Sequence, residues 1–450
     1  MQPRHIYVHV PFCARRCSYC DFAVEAVRRP PVDVWLDAVE REAARRIGSG
    51  ARARGERARV DAAGGVGEGG SAGEAGVEGV AVRAGEADAS AGVGGAGGDG
   101  SLETVYVGGG TPSLLGPGAM AALRERLERH VGGLAGVVEW TAEANPESFD
   151  ETLARDWLEA GVTRVSLGLQ TFHEPALRWM GRLHGAEGAA RAVEAARSAG
   201  LDDISIDLIF GLPERLRRSW RDDLERALAL EPDHVSLYGL TAEPGTPLGR
   251  WVATGRERLP DEERYGAEYL EAVERMTAAG LRHYEVSNFA RPGRESRHNR
   301  AYWSGAAYLG LGPGAHSYQP PERRWNVRGF ADYATALAEG REPVEERERV
   351  EGESARLERV WLGLRTDAGL PASSVARRQR ASALVDRWRE AGWARPDADA
   401  VRLTARGWLL LDRLAVELDH ALASDRVDAG SDAASHSRVD QSLKRGRGAS

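Results

Sequence analysis

Lysine is nearly missing from this chain. Lys444 is the only one in 450 residues, so the 60 basic residues are almost all arginines. A Walker-type phosphate loop, a pyridoxal Schiff base and a kinase strand lysine each need a lysine in the folded body, and all three are excluded. Cysteine is almost as scarce, with three residues, all between positions 13 and 20. Three cysteines build no disulfide framework, and nothing in the sequence resembles a signal peptide. No apolar run approaches the ~18 residues of a membrane span. These absences point to a cytoplasmic protein, where thiols stay reduced. Excess positive charge is missing too: acids outnumber bases 68 to 60, a formal net charge of −8, which argues against a nucleic-acid partner.

Glycine, by contrast, is abundant. Of 54 glycines, 16 fall within residues 51–100, a stretch without a single aromatic side chain. Such a segment cannot bury enough apolar area to offset its ordering entropy, so 49–101 reads as a disordered Gly/Ala-rich insertion. Residues 421–450 read the same way, as a disordered tail. Between these segments strands alternate with helices. Strand patterns lie at His5–Val10, Thr104–Val107, Val138–Ala142, Thr163–Leu167, Asp203–Phe210 and His234–Tyr238, with one more at His283–Val286. Helical patterns lie at Val32–Ile47, Gly118–His130, Glu151–Ala160, about Glu174 to Ala199, Arg215–Leu230 and Asp261–Ala279. Six βα units argue for an α/β fold with a parallel sheet, closed or partly closed into a barrel, over residues 1–48 and 102–325. Residues 326–420 read as a small, mainly helical C-terminal domain.

Cys13, Cys17 and Cys20 form C-x3-C-x2-C directly after the first strand. Thiolates so spaced in one loop can wrap a polynuclear iron–sulfur cluster. The alternative is a structural zinc, with His5 or His9 as fourth ligand. Three ligands on a four-iron cluster leave one iron open for another molecule. The Gly108–Pro112 turn ends the second strand, where glycines admit a close ligand and backbone N–H groups can bind a carboxylate.

This motif, together with Tyr7-Val8-His9-Val10-Pro11-Phe12-Cys13, resembles the radical S-adenosylmethionine superfamily. More narrowly, it resembles the branch that holds the oxygen-independent coproporphyrinogen III oxidases and the HemW-type heme chaperones. The resemblance runs from about Ile6 to Leu418, outside the insertion. It implies a partial (β/α)6 barrel, a [4Fe–4S] cluster on Cys13, Cys17 and Cys20, and S-adenosylmethionine chelated to the open iron. It also implies a cofactor site built from Tyr7, Tyr19, Gly109, Gly110, Thr111, Glu143, Gln170, Arg182 and Asp207.

His298-Asn299-Arg300-Ala301-Tyr302-Trp303 is an H-N-x-x-Y-W segment. Imidazole is a usual heme ligand, and Tyr and Trp rings pack on porphyrin faces, although a histidine satisfied in a turn beside aromatic rings would look the same. The segment resembles the chaperone signature linked to heme, which makes His298 the first candidate for contacting heme, with Tyr302 and Trp303 shaping the pocket. His9 and His316 follow. The oxidases carry a fourth cysteine two positions after the third, where this chain has Phe22, and a longer segment before the cluster than the twelve residues here. The resemblance therefore implies a heme chaperone with no catalytic residues assigned, partnered by heme and heme-accepting proteins, and associated with membranes at most peripherally through partners.

Overall fold

The structure is a computed structural model that describes residues 3–63 and 101–424. The disorder expected over the insertion and the tail falls largely on 64–100 and 425–450, which lie outside the described residues. At the edges of those segments the structure differs from expectation. The first helix runs Val32–Ala63 and does not end near Ile47, and a helix over 411–424 continues past 420. The sequence Ala51–Arg59 is dominated by Ala and Arg, both good helix formers, which carries the helix on.

Among the described residues nine strands form the central sheet. In chain order they are β1 His5–Val10, β2 Thr104–Gly109, β3 Glu139–Ala144, β4 Arg164–Gln170, β5 Asp203–Phe210, β6 His234–Gly239, β7 Arg282–Glu285, β8 Asn288–Ala290 and β9 Leu309–Leu311. Their spatial order is β9-β1-β2-β3-β4-β5-β6-β8-β7. Strands β9 and β1 to β6 are parallel. Strand β8 runs antiparallel to β6, and β7 antiparallel to β8. Among the described residues no ladder joins β9 to β7, so the sheet curls into a partial barrel that stays open.

The parallel strands read as apolar runs because both of their faces are covered. Val8, Val107, Trp140, Leu167 and Ile206 pack with Leu123, Trp157 and Leu224 of the surrounding helices in one continuous core. Full burial of each such side chain contributes roughly 1.5–3 kcal/mol. Helix Glu151–Ala160 has the limits the sequence predicts. Asp150 accepts from the Leu153 N–H at 2.9 Å at its start, and Gly161 ends it in the left-handed region. The pattern over 174–199 is instead broken into Glu174–Met180 and Ala186–Ala199, because Gly181, at φ 82°, turns the chain and sends Arg182 inward.

A second hydrophobic cluster gathers Val360, Leu364, Leu384, Trp388, Trp408, Leu414 and Leu418. It is held by helices Gly352–Arg365, Gln379–Glu390 and 411–424, with a short ladder pairing Leu370–Pro371 to Ala400–Val401. Helix Phe330–Ala338 packs into the barrel core instead, through Phe330, Tyr333 and Leu337. Between the two clusters lies an antiparallel sheet that sequence patterning does not reveal, made of β10 His316–Gln319, β11 Glu322–Asn326 and β12 Val344–Arg349.

Candidate functional site

The cysteine loop leaves β1 and is closed at its neck, where Phe12–Cys13 pairs with Glu25–Ala26. Cys13, Cys17 and Cys20 are half-buried free thiols. Thr111 Oγ1 donates to Cys13 Sγ at 3.4 Å, and the Arg182 guanidinium lies 3.9 Å from Cys17 Sγ. Burial pushes the Cys13 thiol up and the Cys20 thiol up to about 11, so binding metal there means displacing protons. Among the described residues no three His, Cys, Asp or Glu side chains gather as a single metal ion requires. The thiolates of a cluster sit on different irons and need not converge on one point. Both histidines weighed for zinc are engaged: His5 Nδ1 with Thr104, and the two ring nitrogens of His9 with Tyr7 and the Ala23 carbonyl.

The ends of the parallel strands bring polar groups to this loop. Glu143, at the end of β3, accepts from Tyr106 Oη at 2.8 Å and the Gly109 N–H at 2.9 Å. Burial, with Asp207 as a second negative charge, pushes its carboxyl up to about 7. Burial also raises Asp207 on β5, to about 6, opposed by hydrogen bonds from Ser236 and Ser166. Arg182 donates to Asn145 Oδ1 and to the Gly168 carbonyl, both at 2.6 Å, and its Nε is buried without a partner. Gln170 sits at φ 67°, just past an irregularity in the β4–β5 pairing. Such strain in a non-glycine residue is characteristic of ligand sites. Tyr19 is half-buried near Cys17 and Arg182 and packs against the cluster around Met180, and Tyr7 hydrogen-bonds His9 at 3.0 Å. Two half-buried carboxyls, an orphaned guanidinium nitrogen and free thiols are a donor set that suits both a cluster and a polar, cationic cofactor.

The glycine turn differs from expectation. Its N–H groups are not open to a carboxylate: Gly109 donates to Glu143, Gly110 to Val10 and Thr111 to Phe12. The glycines serve close packing. A Cβ on Gly110 would lie 2.6 Å from the Val10 carbonyl, and Gly109, at φ +102°, faces the His9 ring. Thr111 is buried and links Cys13 to Asn145.

A cavity of about 920 Å³ opens over this site, between the barrel mouth and the C-terminal helices. Tyr302 and Trp303 line it, and His298 does not. His298 is 1% exposed; its Nδ1 pairs with Thr104 Oγ1 at 2.8 Å and its Nε2 with Tyr302 Oη at 2.9 Å. Burial pushes its imidazole down to about 3. With both nitrogens committed and the ring outside the cavity, the structure does not support His298 as the heme contact. Its helix, Arg297–Trp303, is anchored by the buried Glu139 carboxylate, which accepts from the N–H groups of Arg297 at 2.7 Å and His298 at 3.0 Å.

Sequence reasoning missed Asn145, the bridge between Arg182 and Thr111, although it lies two residues past Glu143 at the same strand end. It also missed the cavity walls formed by Tyr308, Tyr318, Arg328 and Trp361. No local pattern marks these residues, because what joins them is the packing of separate elements.

Comparison with known proteins supplies the remaining observations. Residues 91–227 match the family model described as the radical SAM superfamily. The chain is 35% identical over 416 residues to the protein named heme chaperone HemW of Mycobacterium tuberculosis, covering 91% of this chain and 93% of that one. It is 31% identical over 410 residues to the Bacillus subtilis protein of the same name, covering 90% and 96%. Among solved structures it is similar to coproporphyrinogen III oxidase (HemN) from Escherichia coli, with a TM-score of 0.70 at 20% identity over 93% of this chain and 90% of that one. At that identity the likeness is one of fold.

Proposed function

The chain belongs to the HemW heme-chaperone family of the radical S-adenosylmethionine superfamily, and from that membership we propose that it takes up heme and passes it to heme-dependent proteins. As a superfamily member it uses a [4Fe–4S] cluster and S-adenosylmethionine. Cys13, Cys17 and Cys20 would hold the cluster, with Thr111 and Arg182 donating toward the sulfurs. Glu143, Gln170, Arg182 and Asp207 would orient the cofactor. The cofactor supplies, on reductive cleavage, a 5′-deoxyadenosyl radical.

The observation that carries the heme reading is the cavity: an aromatic-walled space beside the cofactor residues, within the roughly 300–1,000 Å³ range of ligand sites. Tyr302 and Trp303 offer ring faces, and Arg328 offers positive charge at the wall. The alternative, an oxygen-independent coproporphyrinogen III oxidase, rests on shared fold, and Phe22 stands where the oxidases have their fourth cysteine. We place the protein in the cytoplasm, with any membrane contact made through partners. Among the described residues no helix is long and apolar enough to cross a membrane.

The deciding experiment incubates the reconstituted chain, without oxygen, with heme and with coproporphyrinogen III separately. Stable heme uptake, release to an apo-heme protein and no decarboxylated product are expected. Decarboxylation without heme uptake would refute the proposal. Cys17→Ala should abolish the cluster, read as iron and sulfide per chain.

A further inference from the structure

We propose that His316 is the axial ligand to heme iron in this chain and that Arg328 pairs with a heme propionate. This deepens the heme-binding reading above and rests on it.

Two histidines line the cavity, His9 and His316. The ring nitrogens of His9 are both hydrogen-bonded, as are those of the deeper His298. His316 is different. Its ring is exposed and stacks on Trp325, with centroids 5.2 Å apart and planes inclined by 22°, a contact that involves neither ring nitrogen. Stacking on one face holds the plane of the ring and leaves its nitrogen-bearing edge available. Partial desolvation against Trp325 and the hairpin, together with the neighbouring Arg323, keeps the imidazole below its usual pKa. It is therefore neutral near pH 7, with a lone pair for iron.

The fold presents this ring to the cavity. In the β10–β11 hairpin His316 lies opposite Trp325 and Tyr318 opposite Arg323. Period-two alternation puts these four on one face, while Ser317 turns into the protein on the other. The preceding turn is drawn against the cluster loop. Gly314 has φ +69°, and a Cβ there would lie 2.7 Å from that of Ala23, three residues past Cys20.

The cavity also has one arginine available for an anion. Arg323 is committed to Glu348 at 2.9 Å and Glu358 at 2.6 Å. Arg328 is exposed and lines the cavity; among the described residues it forms no ion pair with a carboxylate, and its one hydrogen bond goes to the Asp21 backbone carbonyl. A guanidinium so placed suits a carboxylate ligand. A planar, apolar metal chelate with carboxylate arms matches an aromatic wall and, among the described residues, an unengaged imidazole and an arginine without an acidic partner.

The test titrates hemin into the reconstituted full-length chain and its variants and follows the Soret band. Iron, sulfide and far-UV circular dichroism confirm that each variant is folded. His316→Ala should shift the Soret band and weaken binding by at least the 10–100-fold typical of disturbing a metal ligand's surroundings. Millimolar imidazole should restore the wild-type spectrum. His316→Gln should behave like His316→Ala. Arg328→Gln should keep the wild-type spectrum, bind hemin several-fold more weakly and bind heme dimethyl ester as wild type does. If wild type takes up heme and His316→Ala does so with unchanged spectrum and affinity, the ligand assignment is overturned while the chaperone reading stands. If wild type takes up no heme, both fall.

Discussion

Replacing Glu143 by glutamine should stabilise the cofactor-free protein while weakening cofactor binding, and the stabilisation should depend on pH in a defined direction. In the folded chain the Glu143 carboxyl is raised from 4.5 to about 7, first by burial and then by Asp207. An acid with a raised folded pKa binds its proton more tightly in the folded state than in the unfolded one. Its contribution is nil below the unfolded value, near 4.5, and becomes increasingly unfavourable until pH passes the folded value, near 7. Each pKa unit corresponds to about 1.4 kcal/mol, so the full shift sets an upper bound of roughly 3 kcal/mol above pH 7. Glu143 also lines the cavity. Water on that side reduces the gain from Glu143→Gln to about 1–3 kcal/mol at pH 8. Tyr106 and Gly109 donate to different carboxylate oxygens. In the variant the amide oxygen accepts from the Gly109 N–H and the amide NH2 donates to Tyr106 Oη, which turns acceptor. Urea unfolding followed by tryptophan fluorescence, at steps from pH 5 to pH 8, reads the difference directly. The gap between variant and wild type should widen with pH and level off near pH 8. A gap that is constant over this range, or that narrows as pH rises, would refute the reasoning. Cofactor affinity, measured on reconstituted protein, should fall in the same variant.

Three further outcomes follow from single contacts. Gly109→Ala should yield little folded protein, since a residue with a side chain costs about 1–3 kcal/mol in that conformation and would also meet the His9 ring; wild-type yield and iron content would contradict this. Glu139→Ala should cost about 2–4 kcal/mol by releasing two charge-assisted N–H bonds, and hydrogen exchange should quicken across 297–303. Heme uptake should fall in that variant as Tyr302 and Trp303 lose their support. Trp388→Ala should remove about 3–5 kcal/mol from the second hydrophobic cluster. Limited proteolysis should then cut within 360–422 while iron content stays near wild type.

What the sequence reveals, and what it hides, follows from the range of the interactions involved. Strands β1 and β5 and helix Glu151–Ala160 have the limits that local patterning predicts, since apolar runs and caps such as Asp150 and Gly161 act over a few residues. Strand β12 has no such signal. Val-Glu-Glu-Arg-Glu-Arg shows no apolar alternation, and its pairing is supported by ion pairs such as Arg323–Glu348 and Arg347–Glu322. The residues proposed for the cofactor come from the family resemblance, supported by the place of Glu143, Gln170 and Asp207 on consecutive parallel strands, which the fold brings side by side. The state of each histidine could not be read from either. His298 is silenced by Thr104, 194 positions away, and His316 is left open by an interaction with Trp325 that only the hairpin register creates. The glycine turn was misread for a related reason: its N–H groups look free in sequence and are taken by Val10, Phe12 and Glu143 in space.

Strand β3 carries a carboxylate near each end, and its length has a mechanical consequence. Glu139 grips the helix that bears Tyr302 and Trp303, and Glu143 stands among the residues proposed to orient the cofactor. Four residues of extended chain set these two anchors about 13 Å apart. Strand β3 is hydrogen-bonded to a neighbour on either side, so it cannot stretch or tilt independently of the sheet. It acts as a gauge rod, and the spacing between the aromatic wall and the Glu143 carboxylate is a manufactured dimension of the barrel. An insertion or deletion of one residue in β3 would reset that spacing by about 3.3 Å and turn one of the two carboxylates to the opposite face of the sheet.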